Sequence, residues 1–285
     1  MKKNNTGKWY ALPIILWLIL FFVIPMLIVL VYSFLKKGTY GGVEMELSFA
    51  SFSIFTDKIF LSVLFKTIYI SVFVTIFTVL FALPTAYFIA RSKYKKELLF
   101  LIIIPFWTNF LIRIYAWMAV LGTNGLINNF LTKLGVIHEP LKLLYNTNAV
   151  ILITVYTSLP FAILPLYAVI EKFDFSLLEA ARDLGATNRE AFFKVFLPNI
   201  KPGIVTAVLF TFIPALGSYA VPKLVGGTQA TMLGNIIAQH LTVTRNWPLA
   251  STISTALIIV TSIAVVVFMT LTKHERKNKA VDVDE

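Results

Sequence analysis

The residues of this chain whose types and spacing could do chemistry are few, and most lie in one polar island, Ser176 to Pro202 (SLLEAARDLGATNREAFFKVFLPNIKP). Ser176-x-x-Glu179 and Thr187-x-x-Glu190 each have the spacing of a capping box, in which a hydroxyl and a carboxylate satisfy free N–H groups in a helix's first turn. The spacing predicts two short helices, 177–184 and 188–196. Gly185 stops the first, because glycine accepts the left-handed cap conformation at little steric cost. Pro198 and Pro202 limit the second, since neither donates to a helix ladder. Ala191, Phe192, Val195 and Phe196 share one face of that second helix, which makes it amphipathic. On these grounds alone the island reads as a solvated loop with an interfacial helix. A second polar group, Thr108, Asn109 and Arg113, interrupts the apolar run PFWTNFLIRIYAW, with Asn109 and Arg113 placed as i, i+4 neighbours on one face. A guanidinium inside a membrane costs roughly 3 kcal/mol or more and needs a partner or a cavity.

Bond-breaking chemistry is poorly provided for. No G-x-x-x-x-G-K-[ST] phosphate loop occurs, so the usual ATP site is absent. His138, His240 and His274 lack metal-ligand spacing, and with no cysteine neither disulfides nor thiolate sites can form. The carboxylates lie in loops and form no intramembrane acid relay of the kind a proton-driven pump uses.

The elements that must position these groups are membrane spans. Of 285 residues, 58% are apolar and 14% charged, with a mean hydropathy of +0.81, far from a soluble domain's charge content of about a quarter. An apolar run from Ala11 to Leu35 is too long for a signal-peptide core and reads as a retained first span. Five more lie near Leu64–Ala90, Leu98–Leu121, Ala149–Ile170, Gly203–Val225 and Ala250–Thr272. With the N-terminus inside, sixteen of the 25 Lys and Arg fall in cytoplasmic segments, among them Lys2, Lys3, Lys8, Lys273, Arg276, Lys277 and Lys279. Seven fall in outer loops, and Lys66 and Arg113 lie in or beside spans. That asymmetry places both termini and the Glu179 loop in the cytoplasm. It also accounts for most of the net charge of +11 without nucleic acid.

The outer loops carry helical periodicity of their own, at Leu126, Ile127, Phe130, Leu131 and Leu134 and again at Met232, Leu233, Ile236, Ile237 and Leu241. Each predicts a short interfacial helix, serving as an anchor or as a platform for an external protein. Prolines 13, 25, 84, 105, 160, 165, 214 and 222 fall within or at the ends of spans, a hint of broken helices around a pathway.

Glu179-Ala180-Ala181, then Gly185, then Leu197-Pro198 resembles the EAA loop of ABC-importer permeases, with Val195 where the family pattern has Ile. The resemblance implies an all-α integral membrane fold of six transmembrane helices, with a cytoplasmic coupling-helix loop and short outer interfacial helices. Residues 1–285 then form a single permease domain, with the coupling loop over 172–202. Glu179, Ala180, Ala181, Gly185, Leu197 and Pro198 become the residues that couple to a cytoplasmic ATPase. ATP and Mg would belong to that partner, with no cofactor in this chain and no catalytic residue. From Leu98 to Pro248, including PFWTN-x-LIRIY and Arg245-Asn246-Trp247-Pro248, the chain is similar to spermidine/putrescine permeases of the PotB type. That implies a polyamine cargo, a second related permease of the PotC type, PotA-type ATPase subunits and an external polyamine-binding protein, all around a bilayer.

A polyamine is served by aromatic faces and carboxylates. Aromatics are plentiful, carboxylates are absent from the spans, and Arg113 alone would suit an anion better. Trp107, Asn109, Arg113 and Tyr219 are the substrate-pathway candidates. Two alternatives stay open: an ABC importer of an anion, an amino acid or iron, and a secondary transporter or channel working without an ATPase.

Overall fold

The computed structural model describes residues 6–281. Lys2 and Lys3 of the N-terminal basic cluster lie outside them, as do the side chains of Lys8, Lys273, Arg276, Lys277 and Lys279. The chain divides into two compact units: one runs up to Ser62 and is joined by Ile236–Val267, and the other comprises Val63–Asn235 with the stretch from Phe268.

In the first unit, α1 (Thr6–Leu18) passes through a π turn (Ile19–Val23) into α2 (Ile24–Tyr32). Nearly every described side chain from Leu12 to Val31 is exposed, as apolar residues are on a helix meant for lipid or another subunit. A hairpin of β1 (Leu35–Lys37) and β2 (Val43–Leu47) follows, paired antiparallel with a register shift between Leu35 and Lys36. Gly41 and Gly42, at φ +95° and +78°, supply the left-handed positions its turn requires. Lys36 bridges Glu46 at 2.7 Å and Glu44 at 3.6 Å across the strands. The helical membrane fold expected from sequence carries in addition this one small hairpin among the described residues, built where glycines and alternating Val43-Glu44-Met45-Glu46-Leu47 allow one.

The second unit is built on α3 (Lys58–Arg91), α7 (Thr147–Ile170) and α10 (Leu197–Leu216). Gly203, Ala207, Thr211 and Ala215 recur every fourth residue on α10 and are all buried, the small-residue stripe by which membrane helices approach closely. Ala162, Ile163, Leu166 and Ile170 of α7 and Ala82, Ala86 and Ile89 of α3 complete that core. Threonine hydroxyls back-bond to carbonyls one turn earlier in the same helices, that of Thr85 to Phe81 O at 2.8 Å and that of Thr206 to Pro202 O at 2.9 Å, which keeps these polar groups satisfied within apolar helices.

The expected third span is broken. α4 (Lys95–Ile103) gives way to a 3-10 turn at Ile104–Trp107, and α5 (Phe110–Leu121) starts afresh, because Pro105 removes a donor and Asn109 caps a new helix. The fifth is shifted: α10 ends at Leu216, and α11 (Ala220–Val225) follows a break at Gly217–Tyr219. The two outer helices form as expected, α6 (Leu126–Lys133) and α12 (Leu233–Thr242), and α13 (Trp247–Val281) closes the chain. Among the described residues, Leu12–Tyr32, Lys58–Arg91, Phe110–Lys133, Thr147–Ile170 and Asn188–Leu216 are long and apolar enough to cross a membrane. Trp247–Ile263 is a shorter apolar helix.

Candidate functional site

The polar island folds as a helix-turn-helix beyond the end of α7. Its first helix, α8 (Ser176–Asp183), is not started by the expected Ser176–Glu179 box. Asp174 accepts the Ser176 N–H at 3.0 Å, and Phe175 holds the N-cap position without a side-chain cap. A short carboxylate two residues ahead closes an Asx turn before the serine can act, and leaves Glu179 exposed on the surface. Hydrogen bonds from the Ser176 side chain and backbone hold the Asp174 carboxyl below its usual range.

The exit follows the sequence closely. Ala186 N–H donates to Ala181 O at 3.0 Å and Gly185 N–H to Arg182 O at 2.8 Å, the paired bonds of a Schellman cap, with Gly185 at φ +89°. The Thr187–Glu190 box is complete in both directions and opens α9 (Asn188–Glu190). The Thr187 backbone N–H, then Lys194 and the Thr187 hydroxyl, pull the Glu190 carboxyl down to about 2.

The second helix does not stop at Pro198 or Pro202. α9 runs through a π turn (Ala191–Phe196) directly into α10. Both π turns among the described residues end two residues before a proline, here Pro198 and earlier Pro25. The wider turn relieves the clash and missing donor that would otherwise end the helix. The Asn199 side chain also donates to Val195 O at 2.7 Å within this stretch.

Beneath the loop lies an aromatic core. Phe196 is fully buried, with Phe173 and Tyr87 edge-on at 5.2 and 5.3 Å. Leu178 and Ala191 are buried beside it, and half-buried Ala181 and Leu197 pack against the same cluster. α8 therefore has two apolar faces. Leu178 and Ala181 point inward, while Leu177, Ala180 and Leu184, at i, i+3 and i+7, point outward, Leu184 with 90% of its surface exposed. Leu177 and Leu184 were not among the expected coupling residues, although their spacing could have found them. Glu179 and Gly185 are exposed, and Leu197 and Pro198 are half-buried anchors at the start of α10.

The pathway candidates are not brought together as one group. Asn109 sits off the helix as the N-cap of α5, its side chain accepting the Leu111 N–H at 2.8 Å, so it does not share a helical face with Arg113 as expected. The Arg113 guanidinium lies 4.6 Å from the Phe106 ring centroid and 5.7 Å from that of Phe110. Its Nε and Nη1 are buried without a hydrogen-bond partner among the described residues. Trp107 is largely exposed and meets Phe100 edge-on at 6.0 Å. Tyr219 precedes α11, and its carbonyl accepts from Asn235 Nδ2 at 3.1 Å. A groove of about 450 Å³ between α3 and α7, lined by Tyr69, Phe73, Phe77, Phe81 and Asn148, is an aromatic surface the sequence reading did not single out. Its rings recur every fourth residue.

The described residues thus combine helices long and apolar enough to cross a membrane with a Schellman-capped helix whose exposed apolar face sits on an aromatic base. Residues 59–277 match the family described as binding-protein-dependent transport system inner membrane component, and the chain belongs to that family. Its relatives include the spermidine/putrescine transport system permease protein PotB of Haemophilus influenzae, 37% identical over 99% of both chains. PotB of Escherichia coli strain K12 is 37% identical over 88% of this chain and 92% of its own. The crystal structure of a bacterial alginate ABC transporter in complex with an alginate pentasaccharide-bound periplasmic protein contains a chain 20% identical, with a TM-score of 0.71 over 95% of each, and so shares the fold. The protein is a multi-pass transport component of an inner membrane rather than an enzyme.

Proposed function

We propose that this chain is the permease subunit of an ATP-driven importer of polyamines, spermidine or putrescine. The observation that carries the coupling role is the outward face of α8, where Leu177, Ala180 and Leu184 offer apolar contact ringed by Glu179, Arg182 and Asp183. Residues 172–202 act as the coupling loop of one permease domain, 1–285, with both termini in the cytoplasm. Glu179, Ala180 and Gly185 meet a groove on the ATPase, the partner that holds ATP and Mg, while Ala181 packs inward against the loop core and seats the helix. The small Ala180 permits close approach, and Gly185 permits the sharp turn. ATPase closure then drives the loop, and the permease pair turns from inward- to outward-facing to receive solute. The second permease is a related chain, and an external binding protein docks on the outer helices. Trp107, Asn109, Arg113 and Tyr219 line the path.

The polyamine cargo is supported by relatives that carry that name at 37% identity. Arg113 favours a second reading, an anionic cargo, since its guanidinium faces aromatic rings and no carboxylate among the described residues. Uptake of labelled spermidine by cells lacking and then regaining this gene separates the two. Restored uptake blocked by putrescine but not by sulfate or amino acids is the expected result. No restoration, with the protein and its partners present in the membrane, would overturn the polyamine cargo and make an anion the next to test.

A further inference from the structure

The segment that joins α7 to the coupling helix is gripped at two points by the corner between α3 and α4. The Arg91 guanidinium, at the last residue of α3, lies 5.4 Å from the Phe175 ring centroid and 5.8 Å from that of Tyr87. Its Nη1 also donates to the Tyr87 hydroxyl at 3.0 Å. Four residues on, Lys95 Nζ stands 3.5 Å from Glu171 Oε1, which accepts from the Tyr167 hydroxyl as well. Two cations four residues apart thus meet a ring and a carboxylate four residues apart, in antiparallel order. Phe175 is the N-cap of α8, so the grip falls at the root of the coupling helix.

The chemistry suits transmission of force. A guanidinium can stack on two rings while donating in its own plane, which an ammonium cannot do. The loop core formed by Phe196, Leu178 and Ala191 includes neither Arg91, which is exposed, nor Lys95, which is half-exposed. The two contacts are therefore additions to the packing that builds the loop. Through them a displacement of α8 is shared with α3, and with α4 leading to the break at Ile104–Asn109, as well as with α7 and α10 in direct continuity.

We propose that Arg91 and Lys95, holding Phe175 and Glu171, are positioning residues that carry displacement of the coupling helix into α3 and the broken third span, and so set how much solute moves per ATP hydrolysed. This rests on the permease reading above. The test uses the whole importer reconstituted in vesicles, with labelled spermidine import and phosphate release measured together. For Arg91→Ala combined with Lys95→Ala, spermidine imported per phosphate is expected to fall by about fivefold or more, the lower end of coupling factors between linked sites. Phosphate release is expected to persist. Arg91→Lys is expected to restore part of the ratio, and the reversed pair Lys95→Glu with Glu171→Lys to restore more of it than Lys95→Glu alone. A ratio equal to that of the unaltered importer, with uptake and phosphate release falling together in proportion to recovered protein, would show a structural role only and overturn the proposal. Should the unaltered complex show no ATP-dependent uptake, the permease reading itself fails and the grip with it.

Discussion

Gly203 lies so close to Val169 that a Cβ on the glycine would stand 3.1 Å from both the Cβ and Cγ2 of the valine. The contact sets α10 close against α7, and with the Pro165 carbonyl at 3.4 Å from the same point there is little room for a side chain at this position. Gly203→Leu should therefore destabilise the protein by about 1–3 kcal/mol, the range for overpacked cores. Thermal unfolding in detergent would report it, with Gly203→Ala falling between the variant and the unaltered chain. An unchanged midpoint for Gly203→Leu would contradict the close approach.

Gly185 presents the opposite case. No atom lies within 4 Å of where its Cβ would stand, so substitution there meets backbone strain alone, at φ +89°. Gly185→Ala should cost about 1–2 kcal/mol of local order, the penalty of a left-handed residue. Gly185→Asn should cost less, since asparagine tolerates that region. Hydrogen exchange at Gly185 and Ala186, the donors of the helix cap, should quicken in the alanine variant and less so in the asparagine one. Equal protection in both would remove the glycine's assigned role.

Asn128 on α6 is almost wholly buried, and one side chain makes three bonds: Nδ2 to Gly122 O and to Leu141 O, each 3.0 Å, and Oδ1 from Leu141 N–H at 2.9 Å. Asn128→Ala strands backbone groups, and a loss of about 1–3 kcal/mol is expected. Limited proteolysis of the 122–146 loop should become faster. Resistance equal to that of the unaltered protein would mean the loop is held by other contacts.

Glu190 gives the loop a pH dependence. Its folded value, about 2, lies below the ordinary carboxylate value of 4.5, so the capping box contributes fully above about pH 4.5 and is lost as pH falls toward 2. A carboxyl-carbon titration followed by NMR should show Glu190 with a midpoint near the lower figure, moving toward 4.5 in Thr187→Val. A midpoint near 4.5 in the unaltered chain would show the box to be open.

What could be read from sequence followed how local each signal is. The Thr187–Glu190 box, the Gly185 cap and the two outer helices depend on neighbours a few residues apart, and each is present. The start of α8 fell one residue early because Asp174, outside the Ser176–Glu179 pattern, accepts the Ser176 N–H and leaves Phe175 at the N-cap position. Hydropathy averages over windows, so it passed over the breaks at Thr108-Asn109 and Gly217–Tyr219. It also overlooked the hairpin, whose period-two pattern is only five residues long. Pro198 looked like a terminator because the compensating π turn has no composition signal. The grip of Arg91 on Phe175 joins residues 84 positions apart, which no local pattern can announce.

The outward face of α8 is the centre of the account, and Leu184 is its most exposed apolar residue. Leu184→Asp puts a charge on that face without touching the buried Leu178 side. Co-purification with the ATPase subunits, measured beside the amount of permease in the membrane, tests the claim most directly. The account predicts normal membrane levels with association lost or strongly reduced, as also for Glu179→Lys and Gly185→Asp. Undiminished association and uptake in Leu184→Asp would show that the ATPase docks elsewhere.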